Sequence, residues 1–498
     1  MIKVFEKSLH ILFLILSVTI LAIMIEKSYL QLGTVLASVL IAIIFFCFVL
    51  IKKYYNSSRL NFDIKKIWLI FRIISAIIMF VLLLTLQVGY NNTWDWGALI
   101  RYAYEYCTEH TVSKIDYLSR YPNNVALYFV LIIICKICNV ILPFESLVFF
   151  KCVTCVISYI LIQCSISLMY KAALKVYKEK VAFFFGVTVL LNLPLYLYSQ
   201  FLYTDVPALF FTSLELYLLV KINFENQKKN EVLLYICLGL VAGIAAIFKI
   251  TTLIVIFAYF VYLFISKVGI RKYVTIVISI FLSFSFIYLS TTTFVNYLSR
   301  EKIGITEELQ EKYEFPFTHW IMMGLGEGYY SQDDVDYSSS FSTIESRKAG
   351  NIKVIKERIK KRGIAETIKH EYYDKMKLLF GNSCLNGDHY VGRHPIFNNI
   401  FVKIFTSNGD LHKYCLFYSW GYALLIAVGF VVKSIKLFLA KSKEKECFAT
   451  ISLTTILGFS VFTMFWESNS RYLLIFLPFV LFAGFDGLFD VYSFKRVK

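Results

Sequence analysis

Four short polar clusters interrupt a chain that is otherwise rich in hydrocarbon, and they hold the side chains able to do acid–base or anion chemistry. The first, Thr93-Trp94-Asp95-Trp96-Gly97, sets a carboxylate between two indoles just after a long apolar run ending near Val88. The others are Arg120-Tyr121-Pro122-Asn123-Asn124, Tyr203-Thr204-Asp205-Val206-Pro207 and Trp466-Glu467-Ser468-Asn469-Ser470-Arg471-Tyr472. If all four meet at one end of a helical bundle, Asp95, Asp205 and Glu467 share a cavity with Arg471. A carboxylate there can deprotonate an attacking hydroxyl, or Asp95 and Asp205 can hold a divalent cation such as Mg or Mn, while an arginine fork grips a phosphate. Lys249 has apolar runs on both sides, and an ionisable group so placed is a functional candidate. Trp94, Trp96, Arg101, Tyr121, Asn123 and Glu467 complete the candidates, as substrate-binding residues.

Each of these residues also has a plainer reading. Asp95 and Asp205 suit the first turns of the helices that follow them, where a carboxylate caps free N–H groups. Trp94, Trp96 and the Arg471-Tyr472 pair suit the membrane–water interface, and Lys249 can snorkel to it. His319 and His389 stand alone and read as neither ligands nor bases. The pairs Cys135/Cys138 and Cys152/Cys155 have redox-motif spacing but sit in apolar runs, where a thiol behaves as a small hydrophobe.

The elements that position these residues must be membrane helices. With 58% hydrophobic residues, 18% aromatics and a mean hydropathy of +0.65, the chain is not a soluble protein. No cleavable signal is evident: the first apolar segment, Ile11 to Ile25, runs into Glu26-Lys27-Ser28-Tyr29 and reads as a retained span. The net charge of +17 is spread over short loops between spans and the Lys495, Arg496, Lys498 tail. Short basic loops mark a cytoplasmic side, so the basicity needs no nucleic acid to explain it. Apolar runs fall near 8–25, 32–51, 67–89, 124–142, 146–170, 181–202, 205–222, 232–248, 250–266, 272–294, 413–437, 448–466 and 470–490. Thirteen runs conflict with two cytoplasmic termini, and the conflict lies between 124 and 170. One run there is re-entrant or lies along the interface, with Pro143 at the break.

Three outer stretches then follow: 90–123, the turn at 203–205, and a loop of roughly 118 residues from Asn296 to Lys413, with a further turn at Glu467–Arg471. Trp96, Leu99, Ile100, Ala103 and Cys107 recur at helical spacing and predict an amphipathic helix on the outer leaflet. In the long loop, Ser342-Thr343-Ile344-Glu345 has a capping-box pattern opening a basic helix through Arg362, which Gly363 ends. That basic run is either a solvated face or a surface for anionic lipid heads or an acidic wall polymer. A second helical stretch runs from Ile364 to Phe380. The organisation read from the chain is 1–66, two N-terminal spans and a basic loop; 67–294, the core with first outer loop 90–123; 295–412, the extracytoplasmic loop; and 413–498, the C-terminal spans.

An acid in the first outer loop, a Tyr-Pro motif at re-entry, Thr204-Asp205-Val206-Pro207, Phe248-Lys249-Ile250-Thr251 and Glu467…Arg471-Tyr472 come in a telling order. Together they resemble the GT-C membrane glycosyltransferases, closest to the protein O-mannosyltransferase-like and aminoarabinose-transferase-like branch of bacteria. Phe317-Thr318-His319-Trp320-Ile321-Met322-Met323-Gly324-Leu325 is similar to Gram-positive members, and the resemblance covers roughly residues 67–490. It implies an all-α polytopic bundle of about 12–14 transmembrane helices with amphipathic juxtamembrane helices and a helical extracytoplasmic loop. It further implies a plasma-membrane enzyme with both termini cytoplasmic, its active site outside, and membrane lipids around it. The donor would be a polyprenyl-phosphate sugar, and the acceptor a wall polymer, lipid or protein of the cell envelope. By position, Asp95 matches the first-loop acid, Asp205 the second, and Arg471 or Lys249 faces the donor phosphate. Two departures stand out: two extra N-terminal spans, and Asp95 alone where many relatives carry a pair of acids. Competing classes are a flippase or transporter of lipid-linked sugar, a polymerase or ligase, and a non-catalytic assembly factor. Transporters show paired, Gly/Pro-broken spans in two halves, and the 22 glycines and 7 prolines here show no such pairing.

Overall fold

In the computed structural model, residues 2–43, 63–89, 94–141, 146–224, 230–439 and 447–490 are described, and they fold as helices. The N-terminal helices are α1 (Ile2–Leu32), α2 (Thr34–Ile43) and α3 (Ile64–Thr85). Next come α4 (Asp95–Glu109), α5 (Ile115–Arg120), α6 (Val125–Ile141), α7 (Leu147–Val176), α8 (Glu179–Leu190) and α9 (Leu193–Leu197). The bundle continues with α10 (Asp205–Phe224), α11 (Glu231–Phe248), α12 (Leu253–Ile265) and α13 (Ile270–Leu298). Eight short helices build the long loop: α14 (Glu307–Tyr313), α15 (Phe317–Gly324), α16 (Gln332–Ser339), α17 (Ile344–Arg362), α18 (Ile364–Lys369), α19 (Lys375–Phe380), α20 (Gly387–Val391) and α21 (Ile400–Phe405). The chain then closes with α22 (His412–Leu439), α23 (Cys447–Met464) and α24 (Leu477–Asp490).

Among the described residues, eight helices are long and apolar enough to cross a membrane, or nine if α8 and the bent segment after it form one span. That segment turns by 55°, between Leu190 and Leu193. The chain is an all-α polytopic membrane protein, and each of the thirteen apolar runs carries helix among the described residues. Among the described residues the one β-type pairing is an isolated bridge, Val88 to Pro395. It matters to the site: Gly89 N–H donates to the His394 carbonyl and Ile396 N–H to Gln87, both at 2.8 Å, tying the lead-in to Asp95 to the long loop.

Close helix pairing explains several glycines. Gly239 and Gly243 of α11, four residues apart, lie against α13, and a Cβ on Gly239 would fall 2.4 Å from the Ile280 carbonyl. Between α22 and α24, a Cβ on Gly429 would stand 1.9 Å from the Gly484 carbonyl. Small residues permit this approach, which van der Waals packing rewards where lipid offers no hydrophobic drive between helices.

Within 124–170, α6 and α7 differ in what they pack against. Tyr128 hydroxyl donates to the Tyr102 carbonyl and the Cys107 thiol to the Ile132 carbonyl, so α6 lies lengthwise along α4. At the start of α7, Lys151 Nζ donates to the Val88 carbonyl at 2.9 Å, at the end of the bundle where α3 finishes. Both α6 and α7 are among the eight helices long and apolar enough to cross. Pro143 lies outside the described residues.

Three expectations change in detail. The apolar face of α4 packs on α6 and α7 and buries Leu99, Ile100 and Ala103 in the core, so protein rather than lipid covers it. The N-cap of α17 is Thr343, not Ser342: its hydroxyl accepts from Ser346 N–H while Ser346 Oγ accepts from Thr343 N–H. The partner at the third helical position is thus Ser346, not Glu345. The 364–380 helix is continuous but passes through a π-helical turn at His370–Asp374 before Gly381 ends it.

Candidate active site

Asp95 is the first residue of α4, and its cap role falls away on geometry. The N-cap is Trp94, without a side-chain capping bond. The Asp95 carboxylate instead accepts from two phenols, Tyr117 on α5 at 2.6 Å and Tyr203 at 3.1 Å. Asn124 joins them, with Nδ2 donating to the Tyr117 hydroxyl at 2.9 Å and Oδ1 standing 3.2 Å from the Tyr203 hydroxyl. Tyr203 has one proton within reach of two acceptors, Asp95 and Asn124. Burial, and then the Asp95 charge, holds both phenols well above their ordinary range, so both stay protonated donors.

Asp205 opens α10 and is almost fully buried. Its two oxygens face two cations, Lys249 Nζ at 3.0 Å and Arg471 Nε at 3.3 Å. These contacts are Coulombic, because neither carboxylate oxygen has an aligned hydrogen-bond donor. Three separated chain segments supply the trio: Lys249 sits at the break between α11 and α12, and Arg471 at the lead-in to α24. Asp205 is therefore held by cations rather than by the backbone N–H groups of its helix.

Aromatic rings line the cations. The Arg471 guanidinium lies 4.6 Å from the Trp94 ring centre and 5.2 Å from that of Tyr390, and Lys249 Nζ lies 4.3 Å from Tyr472. Trp94 meets Tyr203 edge-on at 4.7 Å and Tyr390 at 4.5 Å. One cation over several π faces is attracted by each. Among the described residues, no acceptor engages the two terminal nitrogens of Arg471, and its backbone N–H is fixed by Asn469 at 2.9 Å. Glu467 accepts from the Tyr472 hydroxyl. Burial raises the Glu467 carboxyl above its ordinary range, against the pull of Tyr472, Arg471 and Lys249, while Asp95 pushes it further up.

The structure thus gathers Trp94, Asp95, Asp205, Lys249, Glu467 and Arg471. Tyr121 stands beside this group, 5.1 Å from the Tyr117 ring and 6.3 Å from Trp320. Three candidates are placed otherwise. Trp96 is 1% exposed against Phe201, which leaves it no face for a ligand or for lipid. Arg101 points along α4 and pairs with Glu105 at 3.7 Å. Asn123 is exposed and donates to Asn124, which is the buried member of that pair. Reading the sequence missed Tyr117, Asn124 and Tyr390 as site residues; the first two lie inside or beside quoted clusters, whereas Tyr390 carries no local signal.

A divalent cation does not fit this donor set. Asp205 already faces two positive charges and Asp95 two hydroxyl donors. Among the described residues, no three His, Cys, Asp or Glu side chains converge on one point. Two clustered cations over aromatic rings suit an anion.

A family described as conserved hypothetical integral membrane proteins matches residues 1–372. No curated protein and no solved structure matches the chain.

Proposed function

The chain belongs to that family of conserved hypothetical integral membrane proteins, and we propose that it is a GT-C-type glycosyltransferase using a polyprenyl-phosphate sugar. The observation that carries this reading is the pairing of two unlike sites at one end of the bundle. A carboxylate oriented by phenols stands beside two cations steered by Asp205 and lined with rings. In this reading the end carrying the site is extracytoplasmic, and α4 and α6 are the amphipathic juxtamembrane helices.

The chemistry is a single displacement with inversion. Asp95 takes the proton of an acceptor hydroxyl, whose oxygen attacks the anomeric carbon while the bond to the phosphate oxygen breaks. Polyprenyl phosphate leaves with the electron pair. Arg471 and Lys249 offset the charge that builds on it, an effect strongest where water is excluded. Tyr117 and Tyr203 orient the base, and Asp205 aligns the two cations without touching substrate. Trp94 and Tyr390 present faces on which a sugar ring can stack. The acceptor is a wall polymer, lipid or protein of the envelope.

The test incubates purified protein, supplied with an envelope extract as acceptor, with a panel of polyprenyl-phosphate sugars. Release of free polyprenyl phosphate from one donor supports the reading. A folded sample that consumes none of them refutes it.

A further inference from the structure

Two cysteines 31 positions apart meet in the structure. Cys384 lies in the turn after α19 and Cys415 in the first turn of α22, and their sulfur atoms are 3.9 Å apart. Both are buried. Around them sits a polar set unusual for packed hydrophobes. The Cys384 thiol donates to Ser419 Oγ at 3.4 Å, which hydrogen-bonds Ser383 Oγ at 2.7 Å. His412, one turn before Cys415 and in contact with it, brings Nε2 to 3.0 Å from Asp388 Oδ2. A thiol beside an imidazole that is itself held by a carboxylate is arranged to lose its proton.

We propose that Cys384 and Cys415 form a disulfide that clamps the 384–390 segment onto the start of α22. The clamp would bear on the site. Between the two cysteines run Asn386, whose Nδ2 donates to Asn469 Oδ1 at 2.9 Å, and Tyr390, which packs on Trp94 and Arg471. The proposal rests on the extracytoplasmic placement of this end of the bundle, because disulfides persist in oxidising compartments.

The step balances with a protein disulfide of that compartment as oxidant. His412 takes the Cys415 proton, and the thiolate attacks one sulfur of the oxidant, breaking its disulfide and leaving a mixed disulfide. The Cys384 thiolate then attacks the Cys415 sulfur. The Cys384–Cys415 bond forms, the mixed one breaks, and the oxidant departs as a dithiol with the two electrons and two protons.

The experiment uses the full chain in its own membranes. Free thiols are blocked with N-ethylmaleimide before lysis, the protein is digested without reductant, and peptides are read by mass spectrometry. Expected is a linked pair holding Cys384 and Cys415, which dithiothreitol splits. Recovery of both peptides carrying the maleimide, without reductant, overturns the proposal. A parallel variant separates the two ways it can fail: exposed Lys348→Cys, with Cys384→Ser and Cys415→Ser, is labelled in intact cells with an impermeant maleimide. Free thiols together with labelling refute the disulfide and leave the extracytoplasmic placement standing. Free thiols without labelling refute both.

Discussion

Arg471 does what its sequence neighbours alone do not announce. It approaches Asp205 through Nε, lies over Trp94, Tyr203, Tyr390 and Tyr472, and among the described residues is reached by no side-chain acceptor at its terminal nitrogens. A lysine keeps the charge but not the planar fork or the stacking. Arg471→Lys is therefore expected to weaken donor use by roughly 10-fold or more in kcat/KM; near wild-type kinetics would remove Arg471 from the phosphate site. His319 makes a second residue-scale prediction. Its Nδ1 lies 2.7 Å from Ser338 Oγ, and Ser338 spends its one proton on Asn351 Oδ1, so Nδ1 carries the hydrogen. Burial pushes the imidazole from 6.5 down to about 4. The unfolded chain then binds more protons between these values, so stability is full above pH 6.5 and falls as pH drops toward 4. The loss is of order 3 kcal/mol. Hydrogen exchange over α15–α17 in wild type and His319→Gln should show the acid-side loosening in wild type alone.

The helices that hold the site were legible because their apolar runs are long, and the site acids because polar residues at span ends stand out. Register and packing were not legible. Nothing local marks α6 as lying along α4, since its composition suits a span; the Tyr128–Tyr102 and Cys107–Ile132 bonds place it. Likewise Glu345 fits a capping box as well as Ser346 does, and backbone geometry chose Thr343 as the cap. The basic run of α17 also divides on inspection. Arg347 is buried and donates to the Ser338, Glu314, Lys312 and Phe341 carbonyls, while Arg358 pairs with Asp334 at 2.6 Å. Lys353, Lys356 and Lys360 stay exposed. Glycine contacts carry the prediction at this scale. Gly429→Ala puts a methyl against the Gly484 carbonyl and should destabilise the α22–α24 pair by roughly 1–3 kcal/mol. A lowered melting temperature in detergent checks it, and an unchanged one would show that the two helices part easily.

For the whole molecule, the end of the bundle that unites residues 94–124, 203–205, 249, 384–412 and 466–472 should face away from the cytoplasm. Tyr390 was invisible in the sequence for the same reason that this gathering is persuasive: its site partners Trp94 and Arg471 lie 296 and 81 positions away, and only the closed bundle brings them together. Reporter fusions after residues 340 and 435 test the sidedness, with activity expected outside for the first and inside for the second. The reverse pattern would put the site in the cytoplasm and exclude an extracytoplasmic transfer. The central claim is that Asp95 is the base of a sugar transfer. Its most direct test compares wild type with Asp95→Asn, matched for melting temperature, in release of polyprenyl phosphate from the donor that the panel identifies. The account predicts a loss of roughly 10²–10⁴-fold with the fold intact. Equal turnover by the two proteins would contradict it.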